Sequence, residues 1–128
     1  MTLSLLLADA QKTLDGFSRH YCCAVLNSEG RLLLWFRSDE ITPCSEKLST
    51  QKAYTAFSFQ ADTDKLAEQL GASGLAAMTS PDYCFLPGGA VGRTVDGKTA
   101  YYVGVSMENP EIDQPAAHAV MNAVSSYF

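Results

Sequence analysis

Residues 85–113 read Phe85-Leu86-Pro87-Gly88-Gly89-Ala90-Val91-Gly92-Arg93-Thr94-Val95-Asp96-Gly97-Lys98-Thr99-Ala100-Tyr101-Tyr102-Val103-Gly104-Val105-Ser106-Met107-Glu108-Asn109-Pro110-Glu111-Ile112-Asp113. A paired-glycine loop leads into a β-prone run, an Asp-Gly turn and a second β-prone run, which is the strongest short-range signal for a hairpin. Asn109-Pro110 then supplies a helix N-cap and a proline at the first helical position, where its missing N–H costs nothing. The helix it opens runs to the end, with Ile112, Ala116, Ala119, Val120, Ala123, Val124 and Tyr127 on one face. His118 falls opposite that face, with Gln114, Asn122 and Ser125, in solvent or at a subunit contact.

The first half repeats the pattern. Leu3, Leu6, Leu7, Ala10, Leu14 and Phe17 recur at helical spacing, and Gly16 marks the end of that helix. His20 to Leu26 and Arg31 to Arg37 are two strands joined across Asn27-Ser28-Glu29-Gly30. Thr42-Pro43 opens a second helix running to about Phe59, with Cys44, Leu48, Thr55, Ala56 and Phe59 as its apolar stripe. Asp62 or Thr63 caps a third helix that Gly71 ends near Leu70, and 72–83 reads as a connecting segment with one helical turn at 75–78. Tyr83–Leu86 is a candidate extra strand.

Two hairpins separated by helices predict an α+β fold. The expectation is a single domain over residues 1–128, with a central antiparallel sheet of about four to five strands and helices packed on it. A doubly wound parallel sheet would need strands alternating singly with helices.

With 128 residues and a net charge of −5, the chain is large enough for one core and lacks the clustered Lys and Arg of a nucleic-acid binder. No apolar run approaches the roughly 20 residues that span a bilayer. The apolar stretch at Leu3–Leu7 has no basic region before it and is ended by Asp9 and Lys12, unlike a secretory signal. The expected location is cytoplasmic. Cys22, Cys23, Cys44 and Cys84 form no C-x-x-C pair, so neither a disulfide framework nor a zinc site is expected.

Several residues carry candidate chemistry, each beside a plainer role. Lys52 falls inside the stripe of the second helix; it is either a snorkelling lysine or a cation presented to an anionic ligand group. The breadth of that helix's apolar arc, with Ala53 and Phe57, predicts packing against a second subunit. Pro87-Gly88-Gly89 is either a plain turn or a close backbone approach to a ligand. Glu108, Glu111 and Asp113 answer the helix dipole, or Glu111 or Asp113 hydrogen-bonds a neighbouring backbone or a ligand. On a strand His20 and Cys22 share a face, so an imidazole and a thiol, both iron ligands in haem proteins, would point into one space; the plainer reading is a strand-start histidine and a packed cysteine.

Taken in order, several of these segments resemble the GlcG/HbpS-like family, which also supplies the C-terminal domain of PduO-type corrinoid adenosyltransferases. They are Val25–Leu32 with Phe36–Asp39, Lys52–Ala56, Leu86–Gly89, Asp96-Gly97, and Gly104-Val105-Ser106 followed by Glu111 and Asp113. The likeness covers roughly residues 20–126. It implies a compact single-domain α/β sandwich, homo-oligomers, often octamers, and a haem or related tetrapyrrole as ligand, in haem handling, redox sensing or corrinoid-linked metabolism. His20 and Cys22 sit where a histidine–cysteine iron-ligand pair would fall. Lys52 would meet a propionate, and Pro87, Gly88, Gly89, Glu111 and Asp113 would line the pocket. Asn27, Met107 and Ile112 depart from the family pattern. An enzyme or accessory subunit acting on a small anionic metabolite or corrinoid, and an assembly protein with no ligand, are the competing readings.

Overall fold

A computed structural model describes residues 2–78 and 80–128. Its elements run α1 (Leu3–Asp15), β1 (Tyr21–Leu26), β2 (Leu32–Arg37), α2 (Pro43–Phe59), α3 (Thr63–Ala77), β3 (Gly89–Arg93), β4 (Ala100–Met107) and α4 (Pro110–Val124), with a closing 3₁₀ turn at Ser125–Tyr127. The four strands form one antiparallel sheet in the order β2-β1-β4-β3. The expected α+β sandwich is therefore present, with four strands. The two hairpins meet through β1 and β4, where Cys22 pairs with Ser106 and Ala24 with Gly104.

Every residue of β1 and β4 is buried, because helices cover both faces of these central strands. On one face Tyr21, Cys23, Val25, Val103 and Val105 pack with Leu6, Ala10 and Leu14 of α1 and with Ala116, Ala117, Val120 and Val124 of α4. On the other, Ala24, Leu26 and Tyr102 pack with Ala53 and Ala56 of α2. Edge strand β2 keeps Leu32 and Trp35 largely exposed.

The buried side of α2 differs from the stripe read off the helical wheel. Cys44 is exposed, and the side facing the sheet is Ser45, Ser49, Lys52, Ala53, Thr55 and Ala56. Small residues are needed there because the helix backbone lies almost on the strands. A Cβ added at Gly104 would overlap the Ser49 carbonyl oxygen and come within 2.7 Å of the Ala53 nitrogen; one at Gly89 would lie 2.5 Å from the Lys52 carbonyl oxygen. Close backbone approach, not bulk, sets this interface.

Other expectations shift in detail. Gly71 does break α3 (φ 64°), but helix resumes to Ala77, so the turn expected at 75–78 is the second half of a kinked helix. Thr79, in the expected connecting segment, lies outside the described residues. Tyr83–Leu86 forms no strand; β3 starts at Gly89 instead. The Asp96-Gly97 turn is present, with Gly97 at φ 72° and the Thr94 N–H donating to the Thr99 carbonyl at 2.9 Å. The Asn109 cap is also present, its Oδ1 accepting from the Glu111 N–H at 3.1 Å. Gln114, expected on the exposed side of α4, is buried. His118 is half-exposed, and its Nε2 lies 2.9 Å from Asp62 Oδ2.

Candidate functional site

The residues singled out in the sequence fall in three places. His20 stands one residue before β1, at the rim of a polar hollow of about 510 Å³ lined also by Arg19, Tyr21, Arg37, Ser38 and Asp39. Its Nδ1 lies 2.8 Å from the Glu40 carbonyl oxygen. A carbonyl can only accept, so in the neutral ring the Nδ1 atom carries the proton and Nε2 carries the lone pair. Glu108 Oε1 lies 3.8 Å from the same Nδ1. Beside it the Tyr21 hydroxyl donates to Asp15 Oδ1 at 2.6 Å. Burial, then Asp15, pushes that phenol up to about 12, so it remains a donor at neutral pH.

Cys22 does not share this hollow. It is fully buried under α2, its Sγ 3.1 Å from the Ser49 hydroxyl. Burial pushes its thiol above the ordinary value, against the hydrogen bond from Ser49. The thiolate that binds metal is thereby disfavoured. Strand parity does put both residues on one side of the sheet, but α2 covers Cys22 while His20 lies beyond the strand end. All four cysteines are free, and among the described residues no group of three or more His, Cys, Asp or Glu is placed to hold a metal ion.

Lys52, Asp113, Gly88 and Gly89 form the third place, an internal network. Lys52 is 1% exposed, so it does not snorkel. Its Nζ donates to Asp113 Oδ2 at 2.9 Å and to the Val105 carbonyl at 3.1 Å. Asp113 Oδ1 accepts from the Met107 N–H at 3.0 Å. Burial pushes the Asp113 carboxyl above the usual carboxylate range, and Lys52 and the Met107 N–H pull it back. Lys52 is thus paired with Asp113 inside the protein and does not line the hollow at His20.

The glycine loop is held by Gln114 and by Thr63, which the sequence marked only as a candidate helix cap. Gln114 accepts from the Gly88 N–H at 2.7 Å and donates to the Gly89 carbonyl at 2.9 Å, and Thr63 Oγ1 accepts from the Gly89 N–H at 2.9 Å. Gly88 sits at φ 128°, and a Cβ there would overlap the Val105 carbonyl oxygen and come within 3.0 Å of Lys52 Nζ. The loop backbone therefore faces Gln114, Thr63 and β4. Glu111 is exposed at the start of α4, and Pro87 is half-buried. The adjacency of Gln114 to Asp113, both on the inward turn of α4, was the available signal for its role.

Two further hollows are present. A groove of about 770 Å³ runs between β2 and α2, with Leu32, Trp35 and Tyr54 on its walls. A smaller cavity of about 270 Å³ lies over the Lys52–Asp113 pair, with Ser106, Leu48, Leu86 and Met107 around it. Among the described residues, no helix is long and apolar enough to cross a membrane.

Comparison with known proteins gives the ancestry. The chain resembles Klebsiella pneumoniae protein ORFY at 23% identity and TM-score 0.81, over 98% of this chain and 91% of that one. It resembles a double glutamate-to-aspartate mutant of Streptomyces reticuli HbpS at 28% identity and TM-score 0.79, over 97% and 86%. A PduOC–haem complex aligns at 21% identity and TM-score 0.80, over 94% and 90%; at that identity it speaks to the fold alone. No curated protein matches the sequence. The family model of haem-degrading, HbpS-like proteins matches residues 3–122, nearly the whole chain, and the protein belongs to that family.

Proposed function

We propose that this protein is a small homo-oligomeric haem-binding protein, with His20 as the residue that meets the iron. The observation that carries the reading is the His20 ring. A backbone carbonyl holds its Nδ1 proton, and the Nε2 lone pair is left over beside an open hollow. Metal-ligating histidines are commonly oriented this way, because a fixed tautomer presents a more basic nitrogen to the metal. Membership of a haem-degrading family supports the ligand class.

The donor set fits a tetrapyrrole iron at one position. His20 is available; Cys22 would have to leave Ser49 and come out from beneath α2. Haem, when bound, would supply an electrophilic iron for the His20 imidazole to hold. Arg19 and Arg37 on the hollow offer cations for propionates, although Arg37 already donates to the Ser38 and Asp39 carbonyls. The hollow is polar, so the apolar wall that a porphyrin face requires would come from a second copy.

Haemin titration tests the reading. The expected result is a saturable Soret shift that is lost in His20→Ala and kept in Cys22→Ser. A flat titration of the unaltered protein would overturn haem binding, and loss in Cys22→Ser alone would move the ligand to the thiol.

Self-association is part of the same proposal. The exposed apolar side chains supporting it are Leu32 and Trp35 on edge strand β2 and Tyr54 on α2; of the broad apolar arc expected on α2, only Ala53, Thr55 and Ala56 are buried on the sheet, while Leu48, Phe57 and Phe59 are half-buried. Light scattering at micromolar concentration should give a mass several times that of the 13.8 kDa chain. A monomer would remove the second copy from the proposal.

A further inference from the structure

The cavity of about 270 Å³ over the Lys52–Asp113 pair is separate from the hollow at His20. It is lined by two hydrogen-bond donors, the Ser106 hydroxyl and the Lys52 ammonium. Ser106 is 2% exposed, lines the cavity, and its hydroxyl makes no hydrogen bond among the described residues. No fully buried side-chain oxygen or nitrogen lacks a partner among those residues, so the Ser106 hydroxyl reaches the cavity space. Lys52 also lines the cavity. An ammonium has three N–H bonds, and only two are taken, by Asp113 and the Val105 carbonyl. Most of the wall is apolar, from Leu48, Leu86, Met107 and Pro110, with Thr42, Ser45 and Glu108 also on it.

We infer that this cavity is a binding site for a small uncharged molecule that presents a carbonyl oxygen to Ser106 and Lys52 and an apolar body to Leu48, Leu86 and Met107. Two donors lining one cavity call for an acceptor. An uncharged acceptor is favoured over a carboxylate for three reasons. Asp113 already neutralises Lys52, Glu108 stands at the rim, and Glu111 and Asp113 already answer the positive end of the α4 dipole. The volume lies just below the roughly 300–1,000 Å³ range of drug-sized sites, which limits the ligand to a compact molecule.

The probe is 2-pyrrolidinone, a compact cyclic amide, followed by backbone-amide NMR on the full chain, with propionate as the anionic counterpart. The expected result is a saturable millimolar titration that moves the amides of Leu48, Ser106 and Met107. Ser106→Ala should weaken it about five-fold, the loss of one hydrogen bond. Leu48→Trp, which fills the cavity from the half-buried side of α2, should abolish it while leaving the haemin titration unchanged. The inference is overturned if those amides do not move, if Ser106→Ala titrates like the parent, or if propionate binds there more tightly than the amide. None of these outcomes bears on His20, so the two proposals fail separately.

Discussion

Gly104→Ala is expected to abolish the native fold or leave it several kcal/mol less stable, the largest effect of any single methyl group in this protein. Gly104 is in the centre of β4, paired with Ala24 on one side and Gly89 on the other. The added carbon would overlap the carbonyl oxygen of Ser49 and come within 2.7 Å of the Ala53 nitrogen and 3.0 Å of the Ala53 Cβ. Overpacking a core usually costs about 1–3 kcal/mol because side chains can rotate away. Here the obstacle is helix backbone, so α2 must lift from the sheet. That would also open the Ala24, Leu26, Ala53, Ala56 and Tyr102 cluster. Urea unfolding followed by circular dichroism would measure the effect. A midpoint within experimental error of the parent would show that α2 is not seated on the strand as described.

Lys52→Met should cost about 3–5 kcal/mol, the usual result of removing one partner from a buried ion pair. The methionine keeps much of the volume, so packing changes little, but Asp113 is left 2% exposed with only the Met107 N–H to satisfy it. The Val105 carbonyl loses its side-chain donor as well. The double variant Lys52→Met/Asp113→Asn should recover much of that loss. An asparagine still accepts from the Met107 N–H and carries no charge to strand. Equilibrium urea denaturation of the two variants gives the comparison, since the midpoint shift multiplied by the slope is the stability change. A double variant no more stable than Lys52→Met would mean that Lys52 supports the fold by packing and not by neutralising Asp113.

Both variants bear on α2, the element in which sequence pattern and structure differ most. Its ends were legible: Thr42-Pro43 marks the start and the helix runs to Phe59 as expected. Its inward face was not, because an apolar-stripe search looks for large hydrophobics, and this face is Ser45, Ser49, Lys52, Ala53 and Ala56. Such a face is buried only because Gly89 and Gly104 let the helix backbone approach, and those glycines lie much further along the chain. Lys52 stands out in the sequence for its place among apolar residues, and its partner Asp113 for its place at a helix start. That the two form one pair is a fact of the β4–α4 junction, and nothing in their local context announces it.

What the sequence determined by itself was local and close in the chain. Turn chemistry at Asn27–Gly30 and Asp96-Gly97, the Asn109-Pro110 cap and the strand patterns led to two hairpins, four helices and the α+β class. These signals act over a few residues, where backbone sterics and side-chain-to-backbone hydrogen bonds dominate. The ordered motifs also led to the family. Tertiary structure alone decided which of the candidate residues are neighbours. It separated His20 from Cys22 by covering the thiol with α2, turned Lys52 inward onto Asp113, bound the Gly88-Gly89 loop to Gln114 and Thr63, and left the Ser106 hydroxyl facing a cavity. The reason is that burial and charge pairing depend on which elements pack together. Strand parity fixes the side of the sheet a residue points to, and only the helix lying there decides whether it meets water, a ligand or a serine.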